Sequence, residues 1–115
     1  MHPTLTTEIA SEYAARLASR LGNNLRRVSL FGSRARGEAQ PRSDFDLMVV
    51  LRRASGDQRR AVHALATELE LEHDYGVDLS TKITDEVRFE RLRLSALPFW
   101  QHYNRDEKVL WPPTS

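Results

Sequence analysis

Two aspartates stand one residue apart where an apolar run begins. Asp44 lies directly before the segment Phe45–Leu51, and Asp46 lies within it. This segment has the composition of a buried strand. Side chains two apart on a strand share a face, so both carboxylates can converge on one point. Without a cation between them the charges repel, and one carboxylate takes up a proton at a raised pKa. Magnesium removes that conflict, because it binds one or two carboxylates together with substrate phosphates.

A short turn upstream of these acids could accommodate a phosphate. Gly32 follows a strand-like segment and permits close approach of the backbone to a ligand, and Ser33 adds a hydroxyl. From their charge, Arg34 and Arg36 are candidate contacts to a pyrophosphate. The turn is not a Walker P-loop, because Glu38 and the next residue stand where Lys-Ser/Thr is required. No G-x-G-x-x-G motif occurs in the chain.

A third acid, Asp78, is predicted near the start of the next strand, on its polar face. Three carboxylates on adjacent strands can hold divalent cations of the kind that promote in-line displacement at phosphorus. Taken singly, each residue has another interpretation. Asp44 fits an ordinary turn or cap, and Asp78 fits a solvated strand face. The joint arrangement with the turn favours a metal and phosphate site.

The elements that must position these residues follow from hydrophobic periodicity. Ile9, Tyr13, Leu17 and Leu21 recur at helical spacing and predict a helix over residues 5–21. Strands are predicted at 25–31, 45–51 and 77–83. Helices are predicted at about 55–76 and 84–97, and a short aromatic helix and an extended piece follow Pro98. This order predicts an α/β fold with a small mixed sheet of three strands, or slightly more, flanked by helices in one domain over residues 1–115.

Two sets of apolar residues near the C-terminus are left to be placed. We expect Val87, Leu94 and Leu97 to belong to the core. The aromatic residues could be core or an exposed anchor for another protein; they are Phe99, Trp100, Tyr103 and Trp111.

Composition narrows the protein classes. The formal net charge of +1 makes nucleic acid the least favoured acceptor, although the first half is rich in arginine. The absence of cysteine excludes disulfides and thiolate metal sites, and it fits a cytoplasmic protein. The sequence has no apparent signal peptide and no apolar run long enough to cross a bilayer.

The spacing as a whole resembles a known superfamily. Gly32-Ser33, ten further residues, Asp44-x-Asp46 on an apolar strand and Asp78 on a later strand resemble the nucleotidyltransferases that include DNA polymerase beta. The small size and the segments "VDLSTK" and "PFWQHYNRDEKVLW" are similar to the minimal branch, the MNT or MntA-type antitoxins that are paired with HEPN-domain RNase toxins.

This resemblance implies a nucleotidyltransferase fold and a role for each position. Gly32 and Ser33 would hold the phosphates of ATP, Asp44 and Asp46 would bind Mg²⁺, and Asp78 would complete the metal site and help deprotonate the acceptor. The implied activity is Mg²⁺-dependent transfer of AMP to a hydroxyl, with a tyrosine of a HEPN toxin as acceptor. A homodimer or a hetero-oligomer is compatible with it. Two alternatives stay open: transfer to a small molecule such as an antibiotic, and a non-catalytic antitoxin that only binds its toxin.

Overall fold

The fold is that of a computed structural model, in which residues 3–38 and 44–113 are described. The helices are α1 Pro3–Leu21, a 3-10 turn Gly22–Asn24, α2 Gly32–Arg36, α3 Gly56–Glu72, α4 Glu86–Arg93 and α5 Pro98–Asp106. The strands are β1 Leu25–Phe31, β2 Phe45–Leu51, β3 Leu79–Asp85 and β4 Lys108–Trp111. The α/β fold is therefore confirmed. No helix in the part of the chain that is described combines the length and apolar character needed to cross a membrane.

One mixed sheet carries all four strands in the order β3-β2-β1-β4. The central pair β1 and β2 is antiparallel, with Phe31 opposite Asp46. β2 and β3 run parallel, with Phe45 opposite Leu79. β4 pairs antiparallel with the other side of β1 and is the extended piece predicted after the aromatic helix. The start of β2, the start of β3 and the end of β1 therefore meet at one edge of the sheet.

A hydrophobic core covers each face of this sheet. The larger one is formed with α1 and α3 and includes the predicted stripe of the first helix. The second is formed with α4 and α5 and contains Phe31, Met48, Val50, Phe89, Trp100 and Tyr103. β2 contributes to both cores, which explains its continuous apolar sequence.

The prediction of core residues in the helix at 84–97, which corresponds to α4, is wrong. Val87, Leu94 and Leu97 are 75%, 85% and 54% exposed, and Phe89 is the buried residue of α4. The Asp85 side chain accepts a hydrogen bond from the Arg88 amide and fixes the helix start. Successive helical residues are about 100° apart, so Val87 points away once Phe89 faces the sheet. Leu94 and Leu97 lie beyond the last helical residue, where the extrapolated periodicity no longer applies.

The aromatic residues are mostly core. Trp100 and Tyr103 are buried, and their rings meet edge to face at 5.4 Å. Phe99 is 39% exposed, and Trp111 is partly buried against the larger core. Phe99 is therefore the member of this group whose ring is most open to solvent in the described chain.

A carboxylate links α5 to the sheet. The Glu107 side chain is 8% exposed and accepts hydrogen bonds from Arg27 at 2.6 Å, from Ser29 at 2.7 Å and from the Tyr103 hydroxyl. Burial by itself raises the pKa of Glu107, but the hydrogen bonds from Tyr103, Ser29 and Arg27 outweigh it and leave the pKa below its usual range.

Replacing Glu107 with glutamine is expected to lower the free energy of unfolding by about 2 kcal/mol at pH 7, because charge-assisted hydrogen bonds are replaced by neutral ones. A carboxylate whose folded pKa is depressed stabilises the fold above its unfolded pKa, about 4.3 for glutamate, and loses that effect as the pH falls through the folded value. The difference from wild type in urea unfolding should therefore shrink below about pH 4.

The matched control is Glu90→Gln, whose exposed carboxylate lies 4.0 Å from Arg93. Such a surface pair contributes at most about 1 kcal/mol. Equal destabilisation by the two substitutions would contradict the importance of the Glu107 network.

Candidate active site

The acidic pair lies at the sheet edge where β2 begins. Asp44 directly precedes β2 and is exposed, whereas Asp46 is its second residue and is half-buried. Burial and then repulsion from Asp44 raise the pKa of Asp46, and attraction by Lys82 and Arg36 only partly opposes them. The expected conflict between the two carboxylates is therefore present in the folded chain.

The Gly32 turn lies directly against this pair. Gly32 begins α2 immediately after β1, and its φ of +74° is in the region that favours glycine. A Cβ atom at this position would lie 2.4 Å from Oδ2 of Asp46. Only a residue without a side chain allows the backbone of the turn and the Asp46 carboxylate to approach so closely. Ser33 follows in α2 and is half-buried.

The two arginines of α2 have different surroundings. The Arg34 side chain is buried, and its guanidinium carbon lies 4.1 Å from the centre of the Phe45 ring. Burial lowers the pKa of Arg34, and attraction by Asp44 partly restores it. Arg36 is exposed and pairs with Glu38 at 2.8 Å and with Asp106 at 2.7 Å. Contact of either arginine with a pyrophosphate stays a prediction.

Asp78 reaches the same edge from β3. It directly precedes Leu79, and its carbonyl oxygen accepts a hydrogen bond of 2.8 Å from the amide of Phe45. Asp44 and Asp78 are thus the residues that immediately precede two paired strand positions. Within residues 3–38 and 44–113, however, no three Asp, Glu or His side chains are grouped closely enough to hold a metal ion. The role of Asp78 as third ligand stays a prediction.

The residues that are brought together suit a hard cation. Asp44 and Asp46 offer only oxygen atoms as ligands. Their carboxylates repel each other, and a cation bound by both would relieve that repulsion. Magnesium commonly takes one or two carboxylates and completes its coordination with water and phosphate oxygens. The pair therefore fits Mg²⁺ without a third protein ligand.

Sequence reasoning gave no role to two further residues on this face. Ser80 lies opposite Asp46 in the parallel pairing, and Lys82 lies two positions further along β3. The alternation of polar and apolar residues along this segment indicates only that both share a face with Asp78. That pattern could not indicate that Lys82 is close enough to Asp46 to influence its pKa.

Comparisons with known proteins identify the family of the chain. The sequence profile of the family described as "nucleotidyltransferase domain" matches residues 11–99. No curated protein sequence matches the chain.

Solved structures with the same fold include the following three. A toxin–antitoxin with AMP-PNP has a TM-score of 0.56 and 22% identity, over 90% of this chain and 74% of the other. A protein from Sulfolobus solfataricus assigned as a nucleotidyltransferase has a TM-score of 0.58 and 23% identity, over 95% and 82% of the two chains. A complex of tri-AMPylated Shewanella oneidensis HEPN toxin with MNT antitoxin has a TM-score of 0.51 and 19% identity, over 93% and 73%.

These likenesses establish the fold, and the family profile covers most of the sequence, including both aspartates and the Gly32 turn. The chain belongs to the nucleotidyltransferase domain family.

Proposed function

We propose that this nucleotidyltransferase transfers AMP from ATP to a tyrosine hydroxyl of a HEPN-domain toxin, with Mg²⁺ as cofactor. The observation that carries the proposal is the contact between Gly32 and the Asp46 carboxylate, beside Asp44. A phosphate that lies on the turn and a cation that is bound by the acids would then be adjacent. The AMP-PNP in one structure of the same fold and the AMPylated toxin in another support the choice of nucleotide and acceptor.

The reaction follows from the chemistry of these residues. The acceptor oxygen attacks the α-phosphorus of ATP, a new oxygen–phosphorus bond forms, and the bond to the bridging α–β oxygen breaks. Pyrophosphate leaves, and the proton of the acceptor hydroxyl passes to a carboxylate, for which we propose Asp78. When bound, Mg²⁺ neutralises charge on the phosphates and lowers the barrier to displacement. Gly32 and Ser33 hold the leaving phosphates, while Asp44 and Asp46 hold the cation.

Labelling tests this proposal. The protein is incubated with Mg²⁺ and either α-labelled or γ-labelled ATP, together with a purified HEPN-domain toxin. We expect label on that partner from α-labelled ATP only, and a mass increase of one adenylyl group on a tyrosine. Label from γ-labelled ATP would indicate phosphoryl transfer and would contradict the proposal.

The same assay separates the alternatives. Label that appears on a small molecule in a cell lysate, with none on protein, would favour a small-molecule transferase. Inhibition of the toxin's RNase activity without ATP and without label would favour an antitoxin that acts by binding alone.

A further inference from the structure

Lys82 lies on the same face of the sheet as the acidic pair. In the parallel pairing of β2 and β3, Ser80 is opposite Asp46 and Lys82 is opposite Met48. Residues two apart on a strand share a face, and residues in register on neighbouring strands do as well. Lys82 is therefore directed to the side of the sheet that carries Asp46. It is exposed, so its ammonium group is accessible from solvent.

Two cations act on Asp46, and their other partners differ. Lys82 and Arg36 both attract the Asp46 carboxylate. Arg36 is already paired with Glu38 and Asp106. Across the described ranges 3–38 and 44–113, no ion pair joins Lys82 to a carboxylate. The ammonium of Lys82 can thus move to a new anion without breaking an existing ion pair.

An aromatic ring helps to place this ammonium near the turn. The Lys82 nitrogen lies 6.0 Å from the centre of the Phe99 ring, at the outer limit of a cation–π contact. The Phe99 ring in turn meets Phe31 edge to face at 5.8 Å. Phe31 is opposite Asp46 and directly precedes Gly32. The Lys82 ammonium is therefore beside a ring that contacts the residue directly before the turn.

From this placement we infer that Lys82 binds a phosphate oxygen of the nucleotide substrate, and this inference rests on the proposed function. A lysine ammonium carries three donors and is an effective point charge for phosphate. A nucleotide whose phosphates lie on the Gly32 turn, beside the acidic pair, would bring those phosphates towards the ammonium. The chain has two lysines, Lys82 and Lys108, and its other permanently charged cationic side chains are arginines.

Binding of AMP-PNP to the full chain with Mg²⁺, measured by calorimetry, tests this inference without an acceptor. Lys82→Met is expected to weaken AMP-PNP binding at least about tenfold, which is the effect of one lost charge-assisted hydrogen bond. Lys82→Arg should restore affinity to within about threefold of wild type, because the charge is kept. The dissociation constant of adenosine, which has no phosphate, should be the same in both variants as in wild type.

Lys108→Met is the matched control. Lys108 is also exposed, but it lies on β4, with β1 and β2 between it and β3. It should bind AMP-PNP as wild type does. Lys82→Gln is a second neutral variant, and thermal unfolding of each protein verifies that it is folded.

Unchanged AMP-PNP binding by folded Lys82→Met or Lys82→Gln would overturn the inference and leave the proposed function intact. Equal loss of adenosine and AMP-PNP binding would also overturn it, since that result indicates a structural role. Failure of the wild-type protein to bind AMP-PNP would overturn the proposed function together with this inference.

Discussion

Replacing Asp46 with asparagine is expected to reduce nucleotidyl transfer about a thousandfold while the fold is retained. A bound cation stabilises the transition state by several kcal/mol, and each 1.4 kcal/mol corresponds to a factor of ten in rate. Asparagine keeps the size of the side chain but removes the charge that holds the cation. The rate is measured as label incorporated from α-labelled ATP under single-turnover conditions. Asp44→Asn should reduce transfer by a similar factor.

Asp57→Asn is the control, because Asp57 is an exposed aspartate in the first turn of α3 that pairs with Arg60. It should transfer AMP at the wild-type rate. Full activity of both Asp44→Asn and Asp46→Asn would rule out the proposed site.

The Asp46→Asn variant should also be at least as stable as wild type at neutral pH. Burial and Asp44 raise the pKa of Asp46, so the charged form is less favourable in the folded than in the unfolded chain. That penalty is absent below the unfolded pKa and grows as the pH rises through the folded value. In metal-free buffer, the stability advantage of the variant should therefore increase from pH 3 to pH 7. A loss of stability at pH 7 would instead indicate that Asp46 supports the fold.

Replacing Gly32 with alanine is expected to reduce transfer about a hundredfold or more. The new Cβ atom would lie 2.4 Å from Oδ2 of Asp46, so the carboxylate must move. A displacement of about 1 Å in a reacting site can cost this much in rate. Because alanine is strained at a φ of +74°, the substitution also lowers the free energy of unfolding by about 1 kcal/mol. Urea unfolding and transfer rates measure the two effects separately.

Gly37→Ala distinguishes strain from displacement. Gly37 has the same φ of +74°, but a Cβ atom there would meet nothing within 4 Å. It should lose similar stability and keep most of the activity. If Gly37→Ala and Gly32→Ala lose the same activity, the contact with Asp46 is not the cause.

The placement of Gly32, Asp44 and Asp46 was predictable because its signals are local. The apolar run of β2 identified a central strand, and the alternation along it put Asp44 and Asp46 on one face. Glycine followed by serine after β1 predicted a turn for a phosphate. The family resemblance connected the turn to the acids, and the contact between Gly32 and Asp46 agrees with that connection.

The remainder depends on contacts between residues that are far apart in sequence. The hydrogen bond from Arg36 to Asp106 joins residues 70 positions apart. Glu107 similarly accepts a hydrogen bond from Arg27. Helical periodicity failed at Leu94 and Leu97 because a pattern of apolar residues does not reveal where a helix ends. A local sequence pattern shows neither which strands pair nor which side chains far apart in sequence come into contact.

The central place of β2 has a consequence for how the acidic pair is lost. β2 has a hydrogen-bonded strand on each side and a hydrophobic core on each face. Fraying of a terminus or of an edge strand leaves such a segment in place, and it opens only when the whole domain unfolds cooperatively. Mutations elsewhere that destabilise the domain should therefore lower the fraction of competent molecules, while each molecule that remains folded keeps Asp46 in position.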